Sequence, residues 1–282
     1  MDALPWIGAG ALVVVSASVV VSASVVVSAS VVVSASVVVS ASAVVLIRSL
    51  VLRRQRGGAD RLARTLHLNA RWWQEQRTSH GELLYVAIGD SAAQGVGASQ
   101  PGRSYVGLIA QHLHKQTGLS VRVVNLSSSG ARVREAISLQ LAPLRLLAPD
   151  IVTVAIGAND MATFEQDRFT RELTELYDCL PPGSIVAEVP SFYLGPSEKN
   201  VRLANSIVHH LAAARGFEVA PLYATTRRQG AALYALNRVA ADFFHPNDRG
   251  YRVWASAFLP LIDRIVLSTG DDRPNRSDGG LA

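Results

Sequence analysis

Five short runs rich in apolar and β-branched residues, each followed by a segment of helical composition, constrain the fold of this chain more than any other feature of its sequence. The runs lie at 83–88, 121–126, 151–156, 184–189 and 217–220. Near-continuous apolar runs suit parallel strands that are covered on both faces, and strands that alternate with helices form a parallel sheet between two helical layers. The sequence therefore predicts an α/β protein with a three-layer α/β/α architecture and five parallel strands.

Polar loops that contain glycine follow the first three of these runs, at 89–91, 129–130 and 157–159. In open α/β sheets, ligands bind at the carboxyl ends of the strands. We therefore expect the three loops to meet on one rim of the sheet and to form a site there. Ser91 in the first loop is a candidate nucleophile, although Gly-Asp-Ser is also good turn chemistry and carries no catalytic meaning by itself.

A base for such a nucleophile is found near the end of the chain, where Asp242 and His245 precede the last predicted helix. Serine is a poor nucleophile at neutral pH unless a base lies beside it, and a carboxylate can fix the imidazole tautomer and stabilise the imidazolium that forms. The alternative is a histidine that only caps the following helix. Together with the rim loops, the pattern favours a Ser91–His245–Asp242 triad.

Four short blocks in this order resemble the SGNH/GDSL family of esterases and lipases. They are Gly89-Asp90-Ser91 with Gly95-x-Gly97, the segment 125–130, Gly157-Ala158-Asn159-Asp160, and Asp242-x-x-His245-Pro246. The resemblance spans about residues 83–262, and its one departure is Ala92, where the family name has leucine. It implies a flavodoxin-like sheet of five strands and an ester-hydrolysing enzyme without a metal or a cofactor.

The resemblance also implies roles for individual residues. Ser91 would attack the carbonyl carbon, and His245, oriented by Asp242, would transfer the proton. The N–H groups of Ser91 and Gly130 and the side-chain amide of Asn159 would form the oxyanion hole, with the missing Cβ of Gly130 letting its N–H face the pocket. Asp90 and Asp160 would be structural residues near the site. Apolar residues within 164–234 would build the acyl pocket.

A second feature sets the N-terminal part of the chain apart. Residues 3–47 contain no charged side chain, and the hexapeptide Val-Val-Val-Ser-Ala-Ser occurs five times in succession over 13–42. Because about 20 apolar residues suffice to cross a bilayer, we predict a low-complexity transmembrane anchor over 1–52. A single tilted helix is the main interpretation. A hairpin that crosses twice and a cleaved signal peptide are the alternatives.

The charges that flank this segment predict its orientation. Six arginines follow it and none precedes it: Arg48, Arg53, Arg54, Arg56, Arg61 and Arg64. The positive-inside rule then predicts a cell-membrane protein whose catalytic domain faces the cytoplasm, with the extracytoplasmic side as the alternative. The basic connector, 53–80, predicts contact with lipid head groups. Its tryptophans, Trp72 and Trp73, belong either to a helix that packs on the domain or to one that lies in the membrane interface.

The predicted organisation is thus an anchor (1–52), a connector (53–80), a catalytic domain (81–268) and a disordered tail (269–282). A single cysteine excludes an internal disulfide framework. We expect a membrane-anchored serine esterase with a monomeric catalytic domain, acting on acyl esters such as a lysophospholipid and binding no nucleic acid. The alternatives are a broad small-ester or thioester hydrolase, a glycan O-deacetylase if the domain is outside the cell, and a non-enzymatic binding module.

Overall fold

The computed structural model describes residues 49, 53, 56–193 and 195–271. The chain divides into two compact units, Met1–Arg54 and Gln55–Ala282, and the described residues lie almost entirely in the second. The predicted membrane segment therefore lies outside the described residues, apart from residue 49. Among the residues that are described, no helix is both long enough and apolar enough to cross a membrane.

The second unit contains the predicted parallel sheet. Its strands are β1 (Leu83–Gly89), β2 (Val121–Asn125), β3 (Ile151–Ala155), β4 (Ile185–Ala187) and β5 (Glu218–Ala220). They pair in the order β2-β1-β3-β4-β5, and every pairing is parallel. This is the strand order of flavodoxin-like sheets, whose ligands bind where the order reverses, here beside the end of β1. The fold prediction is confirmed at this level.

Helices cover both faces of this sheet. In chain order they are α1 (Leu66–Thr78), α2 (Ser91–Gln94), α3 (Tyr105–Thr117), α4 (Val133–Leu144), α5 (Gln166–Asp178), α6 (Pro196–Ala213), α7 (Leu222–Arg228), α8 (Ala231–Leu233) and α9 (Asp248–Asp271). Short 3-10 helices lie at Pro101–Arg103 and Ala158–Thr163, and a short π-helix lies at Tyr234–Arg238.

Side chains that alternate along the strands divide the core into two layers. In β1, Val86 and Ile88 pack with the buried residues of α4, α5 and α6, whereas Tyr85 and Ala87 pack with those of α3 and α9. Successive side chains of a strand point to opposite faces of the sheet, so a continuous apolar run supplies both layers at once. The three-layer prediction is confirmed by this arrangement.

The helix α1 packs on the domain. Trp73 is 5% exposed, and its indole N–H donates to the carbonyl oxygen of Gln94 at 3.0 Å. The side-chain amide of Asn69 donates to the same oxygen at 3.3 Å. The connector tryptophans have two predicted positions, against the domain or in the membrane interface. Trp73 packs against the domain. These contacts also fix the end of α2, the short helix that begins at Ser91.

The last helix is longer than predicted. The polar composition from residue 269 predicts a disordered tail, but α9 continues to Asp271. This part of the prediction is wrong because polar residues can continue a helix and do not by themselves end it. The rest of the predicted tail, 272–282, lies outside the described residues.

Candidate active site

The turn that presents Ser91 is held in place from both sides. The buried side chain of Gln140 accepts from the N–H of Gly89 at 3.0 Å and donates to its carbonyl oxygen at 2.9 Å. Asp90 caps α2, where its Oδ1 accepts from the N–H of Ala92 at 2.9 Å. Ser91 follows as the first residue of the helix and is 6% exposed. Its hydroxyl is thus fixed at the carboxyl end of β1.

Residues from opposite ends of the domain meet at this hydroxyl. Nε2 of His245 lies 2.8 Å from Oγ of Ser91, and Nδ1 of His245 lies 2.5 Å from Oδ2 of Asp242. An ionised carboxylate only accepts, so Nδ1 carries the proton and Nε2 is the acceptor for the serine hydroxyl. The structure therefore brings the three residues of the predicted triad into one hydrogen-bonded chain.

Local contacts shape the loop that carries Asp242 and His245. Oδ1 of Asp242 accepts from the N–H groups of Phe244 and His245, each at 3.1 Å. The intervening Phe243 has φ +56°, a left-handed conformation that is uncommon for a bulky residue. Oδ1 thus holds the turn while Oδ2 faces the imidazole. One carboxylate therefore both folds this loop and orients the histidine.

Gly97 lets this loop approach the first one. A Cβ at Gly97 would lie 2.5 Å from the carbonyl oxygen of Pro246 and 3.0 Å from Cβ of His245. Gly97 also has φ +94°, which disfavours any other residue. Because Gly97 has no side chain, the loop that carries His245 can come close enough for the imidazole to contact Ser91. The sequence pattern alone does not reveal this role.

Two buried carboxyl groups near Ser91 have opposite pKa shifts. Burial raises the pKa of Asp90 to about 6, against smaller opposing effects of the Ala92 N–H and of His245. Burial also acts to raise the pKa of Asp242, but the hydrogen bond and charge of His245 and the two N–H donors lower it below its ordinary value. Asp242 is thus suited to remain ionised opposite an imidazolium, whereas at Asp90 burial outweighs the charge of His245.

The three residues of the predicted oxyanion hole lie on adjacent loops. In the part of the chain that the structure describes, the N–H groups of Ser91 and Gly130 have no hydrogen-bond partner. Gly130 is exposed and has φ +78°, and a Cβ there would meet open space. Glycine is therefore favoured at this position by its left-handed backbone and not by a lack of space for a Cβ.

Asn159 and Asp160 connect the neighbouring loops. Nδ2 of Asn159 donates to the carbonyl oxygen of Ala131 at 2.9 Å and to Oδ2 of Asp90 at 3.3 Å. Both N–H bonds of this amide are thus engaged in hydrogen bonds. Asp160 is 1% exposed and accepts from the N–H of Val133, the first residue of α4, at 3.2 Å. Its pKa is raised to about 6, chiefly by burial.

A cavity of about 130 Å³ opens beside Ser91 and His245. Its lining includes six aromatic side chains: Phe192, Tyr193, Tyr234, Phe243, Phe244 and Trp254. The first three lie within the range expected to form the acyl pocket, whereas the other three lie beyond its end at residue 234. No short motif marks these residues, because they come from four segments that only the fold brings together. Within the described residues, no cluster of histidine, cysteine and acidic side chains could hold a metal ion.

Known proteins are similar to this chain in sequence pattern and in fold. The model of the GDSL-like Lipase/Acylhydrolase family matches residues 87–253, more than half of the chain. No curated protein sequence matches.

Solved structures with a similar fold include LAE5, an alpha/beta hydrolase enzyme from the metagenome of Lake Arreo, Spain. It has a TM-score of 0.55 and 23% identity, over 67% of this chain and 99% of that one. TesA has a TM-score of 0.55 and 18% identity, over 64% and 99%. Axe2, an acetylxylan esterase from Geobacillus stearothermophilus, has a TM-score of 0.52 and 24% identity, over 64% and 94%. At these identities the likeness establishes the fold alone.

Proposed function

The chain belongs to the GDSL-like lipase/acylhydrolase family and hydrolyses ester bonds, and from this premise we propose that Ser91, His245 and Asp242 are its catalytic triad. The observation that carries the proposal is the hydrogen-bonded chain from Oγ of Ser91 through the imidazole of His245 to the carboxylate of Asp242. That chain ends at the cavity, where an acyl group can lie against the serine.

The reaction proceeds in two halves. Oγ of Ser91 attacks the ester carbonyl carbon while Nε2 of His245 takes the hydroxyl proton, and Asp242 stabilises the resulting imidazolium. The ester C–O bond breaks, the proton passes from Nε2 to the leaving alcohol, and the acyl group remains on the serine. Water then attacks the acyl-enzyme with His245 again as the base. The carboxylic acid leaves, and the proton returns to Oγ.

The negative charge that develops on the carbonyl oxygen is stabilised by the N–H groups of Ser91 and Gly130 and by the amide of Asn159. The unpaired N–H groups at the first two positions support this assignment. Loss of one such donor typically raises the barrier by about 2.7–4 kcal/mol. Asp90 and Asp160 act as structural residues, since both accept backbone N–H groups at the starts of helices.

The substrate that the cavity favours is an ester of a short acyl group. A cavity of about 130 Å³ is smaller than the ~300–1,000 Å³ of sites that enclose drug-sized ligands, so it suits an acetyl group or a somewhat longer chain. O-deacetylation of a glycan is one form of this chemistry, and the structurally similar Axe2 is described as an acetylxylan esterase. A small soluble ester or thioester is another.

A second candidate is a lipid-like ester such as a lysophospholipid. Its support is the uncharged segment 3–47 and the arginines that follow it, from which we propose a transmembrane anchor with the domain on the cytoplasmic side. The anchor would keep the site close to membrane esters. The glycan alternative needs the domain on the other side, so protease accessibility of the domain in intact cells separates the two.

A covalent probe tests the proposed triad. The whole 282-residue chain in detergent should be labelled by a fluorophosphonate, and Ser91→Ala should abolish the labelling. Ser206→Ala, which removes an exposed hydroxyl from α6, is the matched control and should be labelled like the wild type. Equal labelling of Ser91→Ala and wild type would overturn the assignment.

The substrate class is tested by hydrolysis of p-nitrophenyl esters with acyl chains from two to sixteen carbons. A maximum of kcat/KM at the short chains supports the short-acyl proposal. A maximum at the long chains supports the lipid-like ester and contradicts the argument from cavity size.

A further inference from the structure

A buried carboxylate outside the triad holds one side of the cavity. Glu198, in the first turn of α6, is 6% exposed. Its Oε2 accepts from the N–H of Phe192 at 2.8 Å, and its Oε1 accepts from the guanidinium of Arg227 at 2.7 Å and from the hydroxyl of Tyr223 at 2.8 Å. Burial of a carboxylate is costly unless it is paired, and here each oxygen has a strong donor.

The segment that Glu198 holds is Ser191–Tyr193, which we call the pocket wall. The hydroxyl of Ser191 lies within 3.2 Å of both oxygens of Glu198 and accepts from the N–H of Tyr193 at 3.0 Å. Thr226 accepts from the N–H of Ser191 at 3.0 Å and, through its carbonyl oxygen, from the hydroxyl of Tyr193 at 3.0 Å. The wall is therefore fixed by the side chain of Glu198 on α6 and by the side chain and carbonyl oxygen of Thr226 on α7.

The backbone conformation of Tyr193 depends on these hydrogen bonds. It has φ +65°, a left-handed conformation that is disfavoured for a large side chain and persists only where its surroundings impose it. The hydrogen bonds from its N–H and from its hydroxyl supply that restraint. Without them the backbone at Tyr193 is expected to relax to negative φ, which would redirect its ring.

The rings of the pocket wall face the catalytic loop across the cavity. The ring centroid of Phe192 lies 6.1 Å from that of Phe244, and the Phe244 ring lies 5.1 Å from the imidazole of His245. Tyr193 lies 5.0 Å from Tyr234. A displacement of the wall therefore changes the width of the space in which the acyl group lies.

We propose that Glu198 is a positioning residue that sets the acyl-chain length accepted by this esterase, because it fixes Phe192 and Tyr193 at the width of a short acyl group. The proposal rests on the proposed function, since it concerns the substrate pocket of that same triad. Glu198 touches neither the triad nor the reacting atoms. Its effect is on the fit of the acyl group.

Glu198→Gln is the sharpest variant because it keeps the size of the side chain. The N–H of Phe192 and the guanidinium of Arg227 can only donate, and they bind different oxygens of Glu198. A glutamine has a single acceptor oxygen, so one of the two donors must face an NH₂ group. The wall then loses a charge-assisted hydrogen bond while the packing around it is preserved.

The experiment measures kcat and KM of the whole chain for p-nitrophenyl acetate and octanoate. For Glu198→Gln we expect the octanoate-to-acetate ratio of kcat/KM to rise about tenfold, with KM for acetate rising and kcat changing by less than about threefold. The ratio is independent of how much of the enzyme is folded, so lower stability alone cannot produce the shift. Glu172→Gln removes a carboxylate on α5 whose side chain is 14% exposed and pairs with Arg134 on α4. It does not line the cavity, so this variant is the matched control and should keep the wild-type ratio.

Two further variants complete the test. Phe192→Ala should raise the ratio by itself, and adding Glu198→Gln to it should raise the ratio by less than Glu198→Gln does alone, because one of the two rings that Glu198 positions is gone. An unchanged ratio in Glu198→Gln, or fully additive effects in the double variant, would overturn the positioning role. If the wild-type protein hydrolyses neither ester, the proposed function itself is refuted. Failure of the positioning role and failure of the proposed function therefore give different results.

Discussion

The loops that carry the proposed triad and the pocket wall lie on opposite sides of one cavity, but contacts of different range hold them. Asp242 is bonded to His245 three residues away, and Asp90 to Ala92 two residues away. The pocket wall is bonded to Glu198 and Thr226, which are 6 to 35 residues away from their partners. The turn at Ser91 also has contacts of long range, with Gln140. Only the short-range contacts leave a motif in the sequence, and the pocket wall has no such motif.

This difference also separates two kinds of function. The triad loops position the groups that make and break bonds, so damage to them should lower turnover for every ester alike. The wall determines the space for the acyl group, so damage to it should change the preference among esters. Three substitutions test this distinction.

The largest effect is expected for Asp242→Asn. Asparagine is neutral and cannot stabilise the imidazolium, and its NH₂ group can favour the wrong tautomer of His245. We expect kcat to fall by about 10⁴-fold for acetate and octanoate alike. Asp178→Asn, which removes an exposed carboxylate paired with Arg215, should keep the wild-type kcat. A decrease of less than tenfold would argue against Asp242 as the orienting acid.

The same variant has a signature in the pH dependence of stability. The pKa of Asp242 is lower in the folded protein than its ordinary value, because its hydrogen bonds to His245 and to backbone N–H groups outweigh burial. A depressed pKa stabilises the folded state above the unfolded-state pKa of about 3.9, and that stability is lost as the pH falls. Asp242→Asn should therefore melt below the wild type at pH 7, and the difference in Tm should shrink towards pH 3.

A smaller loss of turnover is expected for Gly97→Ala. The added Cβ would lie 2.5 Å from the carbonyl oxygen of Pro246 and must displace the loop that carries His245. A displacement of about 1 Å can lower the rate about 10²-fold, and we expect a decrease of this size without a change in the octanoate-to-acetate ratio. Gly118→Ala isolates the steric effect, since Gly118 also has positive φ, +70°, but its Cβ would meet nothing within 4 Å. Equal kcat in the two variants would show that crowding at Gly97 does not position His245.

Gly97 also marks the limit of what the sequence could predict. Its place in a glycine-containing block is visible in the sequence, but its contact with Pro246 depends on how two distant loops pack. The positions of Ser91, Asp242 and His245 could be inferred because strand ends, glycine turns and an Asp-x-x-His spacing are local patterns. Glu198 could not be inferred, since an acidic residue in the first turn of a helix is commonplace.

The strand bounds also show which parts of the structure a local sequence pattern can predict. The apolar run 151–156 predicts β3 to within one residue of Ile151–Ala155. The run 184–189 overestimates β4, which is limited to Ile185–Ala187. Beyond that strand the N–H of Val189 donates to the side chain of Asn205 at 2.7 Å rather than to a neighbouring strand. Because β5 has only three residues, its pairing with β4 ends early, and the apolar pattern of β4 alone cannot reveal this.

The smallest effect on turnover is expected for Phe244→Ala, which tests whether the two sides of the cavity are independent. The Phe244 ring packs against the imidazole of His245 on one side and faces Phe192 on the other. Its backbone N–H donates to Asp242 and its carbonyl oxygen accepts from Tyr234, and both bonds remain in alanine. The substitution thus removes the ring and leaves the loop intact.

Because that ring contributes to both sides, Phe244→Ala should lower kcat for acetate by about threefold and also raise the octanoate-to-acetate ratio by about fivefold. Leu236→Ala, at a residue that is 83% exposed and does not line the cavity, should change neither quantity. A change in kcat alone would assign the Phe244 ring to the support of His245, and a change in the ratio alone would assign it to the acyl pocket. Either result would contradict the coupling of the two sides through this ring.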